Sequence, residues 1–293
     1  MHRVLAFLAI VGTSTAIEEF EPGLRVKFGV GPNPSSGENF FYVIPRTKAD
    51  ASAAGWVCNK RPHGPLSQLV MYCPEDKVVC AFFDDTHNIA GLQVAVLKSD
   101  ILANEFDWES RGFTSWVTTV NGTATEFWTV QQYYVNDEYL SISKEKRLET
   151  RDHSRILQLG AVWVTGPSKE LLKVSNQEKD IIQERLFLAQ KCTTGMGQHY
   201  YYNMSAAMEC TYDQLYPWIL MYKNGEMAAT AFSSYTKLAV AHTRDWFERT
   251  NRAGVMSFLP YAPQCVYDLG EHPGSLSMHI YYVNEPWTIT CPA

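Results

Sequence analysis

Short runs rich in β-branched and aromatic residues recur along this 293-residue chain, and they limit it to folds built largely of sheet. They predict β-strands at 39–44, 68–72, 78–83, 92–97, 126–135, 158–164, 218–222 and 278–283. Two charged stretches, 144–157 and 169–188, predict helices, because apolar residues in the second recur near helical spacing. With 46 % hydrophobic residues the chain can bury a large core. We therefore expect an α/β fold with mixed sheets flanked by helices.

The sequence repeats weakly with itself. Ser-Ala-Ala, then a cysteine, then a strand ending in Met-Tyr occur in this order within residues 52–72 and again within 205–222. A β-like run follows each copy, at 92–96 and 238–241. The shared order predicts two pseudo-repeats forming one compact unit. We place a leader at 1–16, the first repeat at 17–165, and the second at 166–293, with a bridging helix at its start.

The first residues have the pattern of a secretory signal peptide. A positive start at Met1–Arg3 precedes an apolar run at Val4–Val11, and small residues ending at Ala16 form a cleavage site. The run is too short to span a membrane, and no later run reaches the required length of about 18 residues. We expect a secreted or lysosomal-lumen protein with no membrane partner. Asn121 and Asn203 begin two glycosylation sequons that agree with this route.

The seven cysteines are Cys58, Cys73, Cys80, Cys192, Cys210, Cys265 and Cys291. An oxidising compartment should pair most of them, and the odd number leaves at least one thiol without an intrachain partner. Spacing alone does not fix the connectivity. There is no Cys-x-x-Cys, so neither a zinc knuckle nor a thiol redox motif is predicted.

The charge and the missing motifs exclude several classes of protein. A net charge of −6 argues against a general polyanion binder, so any nucleic-acid contact needs a local basic site. The chain lacks the nucleophile elbow, the zinc-protease helix, the P-loop and the EF-hand loop. His153 and His242 each precede an arginine by two residues, which is one way to hold a phosphate. His272 and His279 flank a Pro-Gly pair, but no third metal ligand accompanies them, and we predict neither metal nor cofactor.

Several segments, taken in order, resemble deoxyribonuclease II, the acid endonuclease of lysosomes. The second β-like region, 235–240, leads to Trp246 and then to Asn251-Arg252, as a strand leads to Trp and Asn-Arg in that family. Residues 38–45 are similar to the family's opening strand, and 187–191 and 210–213 are similar to segments of its second half. The resemblance implies a secreted, glycosylated, internally duplicated protein with a phospholipase D-like fold.

The resemblance also implies a site that this chain carries only in part. In the family each repeat supplies a His-x-Lys; one histidine attacks phosphorus, the other protonates the leaving oxygen, and the lysines stabilise the phosphate charge without a metal. Here 87–89 reads His-Asn-Ile and 235–237 reads Tyr-Thr-Lys. We therefore expect His87, Tyr235 and Lys237 to meet in a relic active site. A phenol, with an ordinary pKa of about 10, replaces imidazole poorly.

The resemblance further implies a Cys210–Cys291 disulfide, whereas proximity in sequence favours Cys265–Cys291. In the first repeat we expect Cys58–Cys73, with Cys80 buried or free.

Three functions remain open from the sequence. The first is a deoxyribonuclease II-like protein with lost or strongly reduced hydrolysis that still binds DNA or another polyanion. The second is an active, metal-independent acid endonuclease that uses other histidines, such as His153 or His242. The third is a secreted binding glycoprotein with no link to nucleic acid.

Overall fold

The computed structural model describes residues 22–27, 39–239 and 246–292, and it places their strands in two sheets. The nine-stranded sheet contains β1 (Pro22–Lys27), β2 (Phe41–Val43), β7 (Ile101–Asn104), β12 (Phe187–Thr193), β13 (Gly197–Tyr202), β14 (Trp218–Lys223), β15 (Glu226–Leu238), β16 (Glu248–Thr250) and β17 (Ser275–Val283). Its order is β12-β13-β14-β15-β17-β1-β2, with β16 beside β17 and β7 beside β15.

The eight-stranded sheet contains β3 (Val57–Asn59), β4 (Val70–Cys73), β5 (Val79–Phe83), β6 (Ile89–Leu97), β8 (Thr114–Val120), β9 (Thr123–Tyr133), β10 (Ala161–Thr165) and β11 (Leu171–Ser175). Its order is β11-β10-β9-β6-β5-β4-β3, with β8 beside β9. The described helices are short: α1 (Lys48–Ala53), α2 (Asp137–Ser141), α3 (Lys144–Thr150), α4 (Glu178–Glu184), α5 (Arg252–Phe258) and α6 (Gln264–Leu269).

The prediction of sheets accompanied by helices is confirmed at this coarse level. Each of the eight predicted strands overlaps an observed one. The expectation of mixed sheets is corrected, because strand pairing in both sheets is antiparallel. This pairing suits strands that follow one another through short turns.

The long bridging helix predicted at 169–188 is wrong. Residues 171–175 form β11, because Leu172 and Val174 pair with the buried strand β10, and only α4 is helical. The helix predicted at 144–157 ends at Thr150. In both stretches the apolar residues lie in a strand, a loop or a short helix, and they do not form one continuous helical face.

A shared apolar core joins the two sheets. It takes large side chains from both, among them Phe83, Tyr134, Trp218 and Phe232. Polar contacts also cross the interface: the Trp218 indole donates to the Thr165 carbonyl at 2.8 Å, and the Thr230 hydroxyl donates to the Gln132 side-chain oxygen at 2.7 Å. These contacts fix how the sheets face each other.

The chain leaves the eight-stranded sheet at β11 and enters the nine-stranded sheet at β12, with α4 between them. Three strands from the first half, β1, β2 and β7, pair within the nine-stranded sheet. The division into repeats at 17–165 and 166–293 stays a prediction.

The disulfides are Cys73–Cys80, Cys192–Cys291 and Cys210–Cys265, and Cys58 is free and exposed. The predicted pairs Cys58–Cys73, Cys210–Cys291 and Cys265–Cys291 are therefore wrong.

The strand register explains the first of these errors. Cys58 lies opposite Tyr72, so its side chain and that of Cys73 leave opposite faces of the sheet, whereas the β4–β5 hairpin brings the Cα atoms of Cys73 and Cys80 to 4.3 Å. Cys291 instead meets Cys192 at the end of β12, and Cys265 on α6 meets Cys210.

Three disulfides fit an extracellular or lumenal protein. The predicted signal peptide at 1–16 lies outside the described residues. Within the described part of the chain, no helix has the length and apolar character needed to cross a membrane.

Candidate functional site

A cavity of about 820 Å³ opens beside the nine-stranded sheet. Its charged or titratable lining side chains are Lys27, Lys237, Glu248, Arg249, Glu271 and His272. Aromatic side chains, including Phe40, Phe258 and Trp287, form part of the remaining wall. The volume falls in the range typical of small-molecule sites. We call this the large cavity.

The sheet order places Lys27 against Glu248. Strands β1 and β16 both pair with β17, at its two ends, so the last residue of β1 meets the first residue of β16. The Lys27 ammonium lies 3.6 Å from one Glu248 carboxylate oxygen. The sequence brings these residues together only through β17, which follows them both.

The other Glu248 oxygen contacts the Nδ1 atom of His279 at 2.8 Å, and both side chains are buried. Burial opposes the charge on Glu248, but His279 and Lys27 together outweigh it and lower the pKa of that carboxyl. Glu248 is therefore a carboxylate that orients His279 and neutralises much of the charge on Lys27.

A second buried histidine, His199, lies beside this group, with 6.2 Å between its ring centroid and that of His279. Its Nδ1 atom lies 3.0 Å from the Gly197 carbonyl and 3.1 Å from the Lys191 carbonyl, so Nδ1 carries the hydrogen. Burial, then the charge on His279, lowers the pKa of His199 to about 3. His199 is thus a neutral, buried residue beside the Glu248–His279 pair.

This arrangement predicts acid sensitivity that begins well above the carboxyl range. The unfolded chain protonates His199 near its ordinary pKa of about 6.5, whereas the folded chain does so only near 3. The stabilisation is complete above about pH 6.5 and is lost as the pH falls toward 3. We expect His199→Asn, which keeps an N–H for the carbonyls, to flatten the decline in unfolding free energy between pH 7 and pH 5.

Urea titrations at the two pH values measure this decline. Exposed His153 provides the control, and His153→Asn should leave the decline as it is in the wild type. The facing groups that stay in both proteins are His279, Glu248 and Lys27. An unchanged pH dependence in His199→Asn would show that His199 does not cause it.

Two of the three predicted relic residues lie together on β15. Lys237 is exposed and lines the large cavity, and no hydrogen bond or ion pair joins its ammonium to the described residues. Tyr235 is 7 % exposed; burial raises its pKa well above the ordinary value, although the Arg111 charge opposes this. Tyr235 therefore keeps its proton and supplies neither a nucleophile nor a base.

The third, His87, lies elsewhere. It occupies the turn just before β6, whereas the far end of β6 leads into β7, which pairs with Lys237 through Ala103. Nine residues of extended strand span about 30 Å, so His87 lies at one end of β6 and the segment that leads to the partner of Lys237 lies at the other. The expectation that these two side chains meet is wrong, because β6 runs the length of the sheet between them.

His87 instead has the conformation of a turn residue. Its φ is +67°, and its backbone carbonyl accepts from the Lys48 N–H at 2.9 Å. We expect His87→Gly to keep or raise stability, by up to about 1 kcal/mol, because glycine adopts positive φ without a side-chain clash. Thermal unfolding measures the change. A clear loss of stability would show that the imidazole itself makes contacts that hold the turn.

The remaining predicted positions are placed as follows. His272 lines the large cavity, His153 is exposed in a loop, and His242 lies outside the described residues. Asn121 is exposed at the β8–β9 turn, and Asn203 is exposed with its amide donating to Gln214 at 3.1 Å. Glycosylation of both asparagines stays a prediction.

Asn251 and Arg252 begin α5, where the Asn251 side chain accepts from the Gly254 N–H at 3.0 Å, and Arg252 pairs with Asp268 at 2.6 Å. The Asn-Arg pair of the resemblance thus has a helix-capping role here, although Asn251 also lines the large cavity.

Sequence reasoning missed Lys27 and Glu248, and it noted His279 only as part of an unsupported metal pair. A histidine inside the apolar run 278–283 was the one available signal, since a strand buries such a residue only with a partner. Nothing in the sequence near Lys27 or Glu248 indicates their pairing.

The eight-stranded sheet makes a further contact with the residues just before β16. The Trp246 indole donates to the Asp76 carboxylate at 2.6 Å, and the neighbouring Lys77 is buried. Burial lowers the pKa of Lys77, while Asp76 and Glu75 oppose that shift. Of the two turns that flank β5, the β4–β5 turn is therefore the one that approaches β16, and the His87 turn is not.

The chain matches no protein-family model, and no curated protein or solved structure is detectably similar to it. The likeness to deoxyribonuclease II therefore depends on the ordered segments described above.

Proposed function

We propose that this is a secreted or lumenal, deoxyribonuclease II-like protein that binds DNA or another polyanion without hydrolysing it. The observation that carries the proposal is Lys237, an exposed ammonium on the wall of the large cavity with no partner among the described residues. An unpaired cation beside Lys27 and Arg249 favours an anionic ligand, and phosphate groups suit ammonium donors. In a chain of net charge −6, such a local site is where a polyanion would bind.

The geometry also supports the loss of hydrolysis. A two-histidine mechanism needs one imidazole to attack phosphorus and a second to protonate the leaving oxygen. His87 precedes β6, whereas Lys237 pairs with β7, which follows the far end of that strand of about 30 Å, and Tyr235 is a buried, protonated phenol. Losing one member of such a unit typically costs several orders of magnitude in rate.

One observation favours a second candidate, an acid phosphodiesterase that uses other histidines. His279 is oriented by the Glu248 carboxylate, and Lys27 lies on the same carboxylate at the cavity. An oriented imidazole is the usual general base. Because His279 is only 6 % exposed and does not line the large cavity, a phosphodiester would reach it only after the side chains around it move, so we rank binding first.

The test combines cleavage and binding. Supercoiled plasmid incubated at pH 5 with EDTA should stay intact, while a fluorescein-labelled duplex should show salt-dependent anisotropy. Cleavage that His279→Gln abolishes would replace the proposal with the second candidate. Neither cleavage nor binding would favour a secreted glycoprotein with no link to nucleic acid.

We expect Lys237→Gln to weaken duplex binding about two- to fivefold and to lower the slope of log K against log salt by about one, because one ammonium leaves the phosphate contact. The matched control is Lys144→Gln, which removes an exposed lysine from α3 and should leave both quantities unchanged. Equal effects of the two substitutions would mean that the affinity for DNA depends only on the net charge of the protein and not on a site at Lys237.

A further inference from the structure

The geometry points to a second anion site, built on the eight-stranded sheet, that takes a monosaccharide-sized phosphate or sulfate ester. It is a cavity of about 450 Å³ whose wall includes Lys60, Arg61, His63, Ser67, Ser115 and Trp116. We call it the small cavity. It shares no lining residue with the large cavity, so the inference stands apart from the proposed function.

The charge of the small cavity is positive and uncompensated. Its lining contains two permanent cations and a histidine, and none of its described lining residues is acidic. Within the described chain, neither the Lys60 ammonium nor the His63 ring has a hydrogen-bond or ion-pair partner, and both residues are exposed. Adjacent cations without counter-charges repel, and a bound anion removes that cost.

The Arg61 guanidinium donates through its two terminal nitrogens only to neutral acceptors. It donates to the carbonyls of Leu66 and Pro65 at 2.6 and 2.7 Å and to the Tyr133 hydroxyl at 2.8 Å, all neutral acceptors. It also stacks over Phe82, 4.5 Å from the ring centroid. No described carboxylate pairs with it. Arg61 therefore shapes the 61–66 loop and supplies a fixed positive potential beneath it.

The walls of the small cavity are held rigid. The Trp116 indole, on β8, donates to the Lys60 carbonyl at 2.9 Å and so fixes the end of β3 against the β8–β9 hairpin. Ser115 and Ser67 add exposed hydroxyls. The carboxylate linked to this wall, Glu126, is neutralised by Lys98, which also donates to Ser115 at 2.8 Å. A preformed site loses little entropy when it binds.

The size and lining indicate the class of ligand. The volume exceeds what an inorganic anion needs and lies in the range of small-molecule sites. Pro62, Trp116 and Val117 provide apolar surface next to the cations, which suits a sugar ring carrying one tetrahedral anionic group. Ammonium and guanidinium groups bind phosphate and sulfate oxygens alike, so the structure specifies the shared chemistry of the two esters.

Isothermal titration of the full protein with glucose 6-phosphate, glucose 6-sulfate and glucose tests the inference. We expect at least one ester to bind at concentrations up to about 10 mM, and glucose not to bind. Which ester binds identifies the anionic group. Failure of both esters, or equal binding of glucose, would overturn the inference.

Substitutions locate the site. The double substitution Lys60→Gln with His63→Gln should weaken ester binding about tenfold. Ser67→Glu places a carboxylate at the edge of the small cavity, where it can pair with the cations, and should weaken ester binding by at least as much. All three positions are exposed, so thermal unfolding should match the wild type. Lys144→Gln and Lys237→Gln should leave the affinity unchanged. Ester binding that survives the double substitution, or that falls with Lys237→Gln, would place the ligand elsewhere and overturn the inference.

Discussion

Replacing Arg147 with methionine is expected to lower the free energy of unfolding by about 3–5 kcal/mol. Arg147, on α3, is 2 % exposed and donates to the buried Asp84 carboxylate at 2.6 Å, to Asp85, and to the Ile142 carbonyl. Removing the guanidinium leaves the Asp84 charge buried without a cation, and that uncompensated charge causes most of the loss. Urea unfolding measures the change.

Two further variants separate this cause from simple loss of contact. Asp84→Asn in the Arg147→Met background should recover at least half of the loss, because the introduced amide oxygen can still accept from Thr86 and Asn88 without carrying a charge. Lys146→Met removes the neighbouring surface pair with Glu149 and should change stability by no more than about 0.5 kcal/mol. A loss below about 1 kcal/mol in Arg147→Met would mean that water reaches Asp84.

The Arg147–Asp84 ion pair also explains why the turn that contains His87 has a structural role. Asp84 accepts from the backbone of Thr86 and Asn88, so the turn containing His87 is closed around this carboxylate. His87 therefore lies in a turn that Arg147, on α3, stabilises through Asp84.

Gly112→Ala is expected to cost at least about 4 kcal/mol or to prevent folding. Gly112 has φ of +89°, and a Cβ there would overlap the Gly166 carbonyl, which is itself held by the Lys169 N–H at 2.7 Å. Because both partners are backbone, neither can move aside. The neighbouring Arg111, which is buried and donates to Ser234 at 2.7 Å, would be displaced as well.

Gly122→Ala is the matched control. Gly122 also has positive φ, +79°, but a Cβ there has nothing within 4 Å, so its cost should be only the conformational one of about 1–2 kcal/mol. The difference between the two variants in thermal unfolding measures the close approach of the 107–113 loop to Gly166. Equal losses would mean that this approach relaxes freely.

The sequence by itself determined the most apolar strands. Runs such as 78–83 and 218–222 are so apolar that burial on both sides is their only stable state, and they became β5 and β14. It also indicated an oxidising compartment through its cysteines. These properties are local, since each depends on composition within a few residues.

The segment that contains β11 and α4 was harder to predict from the sequence. The stretch 169–188 mixes charges with apolar residues at a spacing that fits a helix, yet β10 offers Leu172 and Val174 a sheet edge. Tertiary pairing outweighs a weak helical preference in such a segment. The same pairing decided that β1, β2 and β7 join the far sheet, which no local pattern indicates.

Only the tertiary structure decided which side chains share a site. Sequence motifs joined His87 with Lys237, but β6 separates them, whereas β17 brings Lys27 and Glu248 together although 221 positions divide them in sequence. The disulfides were decided in the same way, because the alternation of faces along β3 and β4 sends Cys58 and Cys73 in opposite directions. A residue's neighbours in a sheet depend on strand order and register, and these result from the summed burial of both sheets rather than from any one segment.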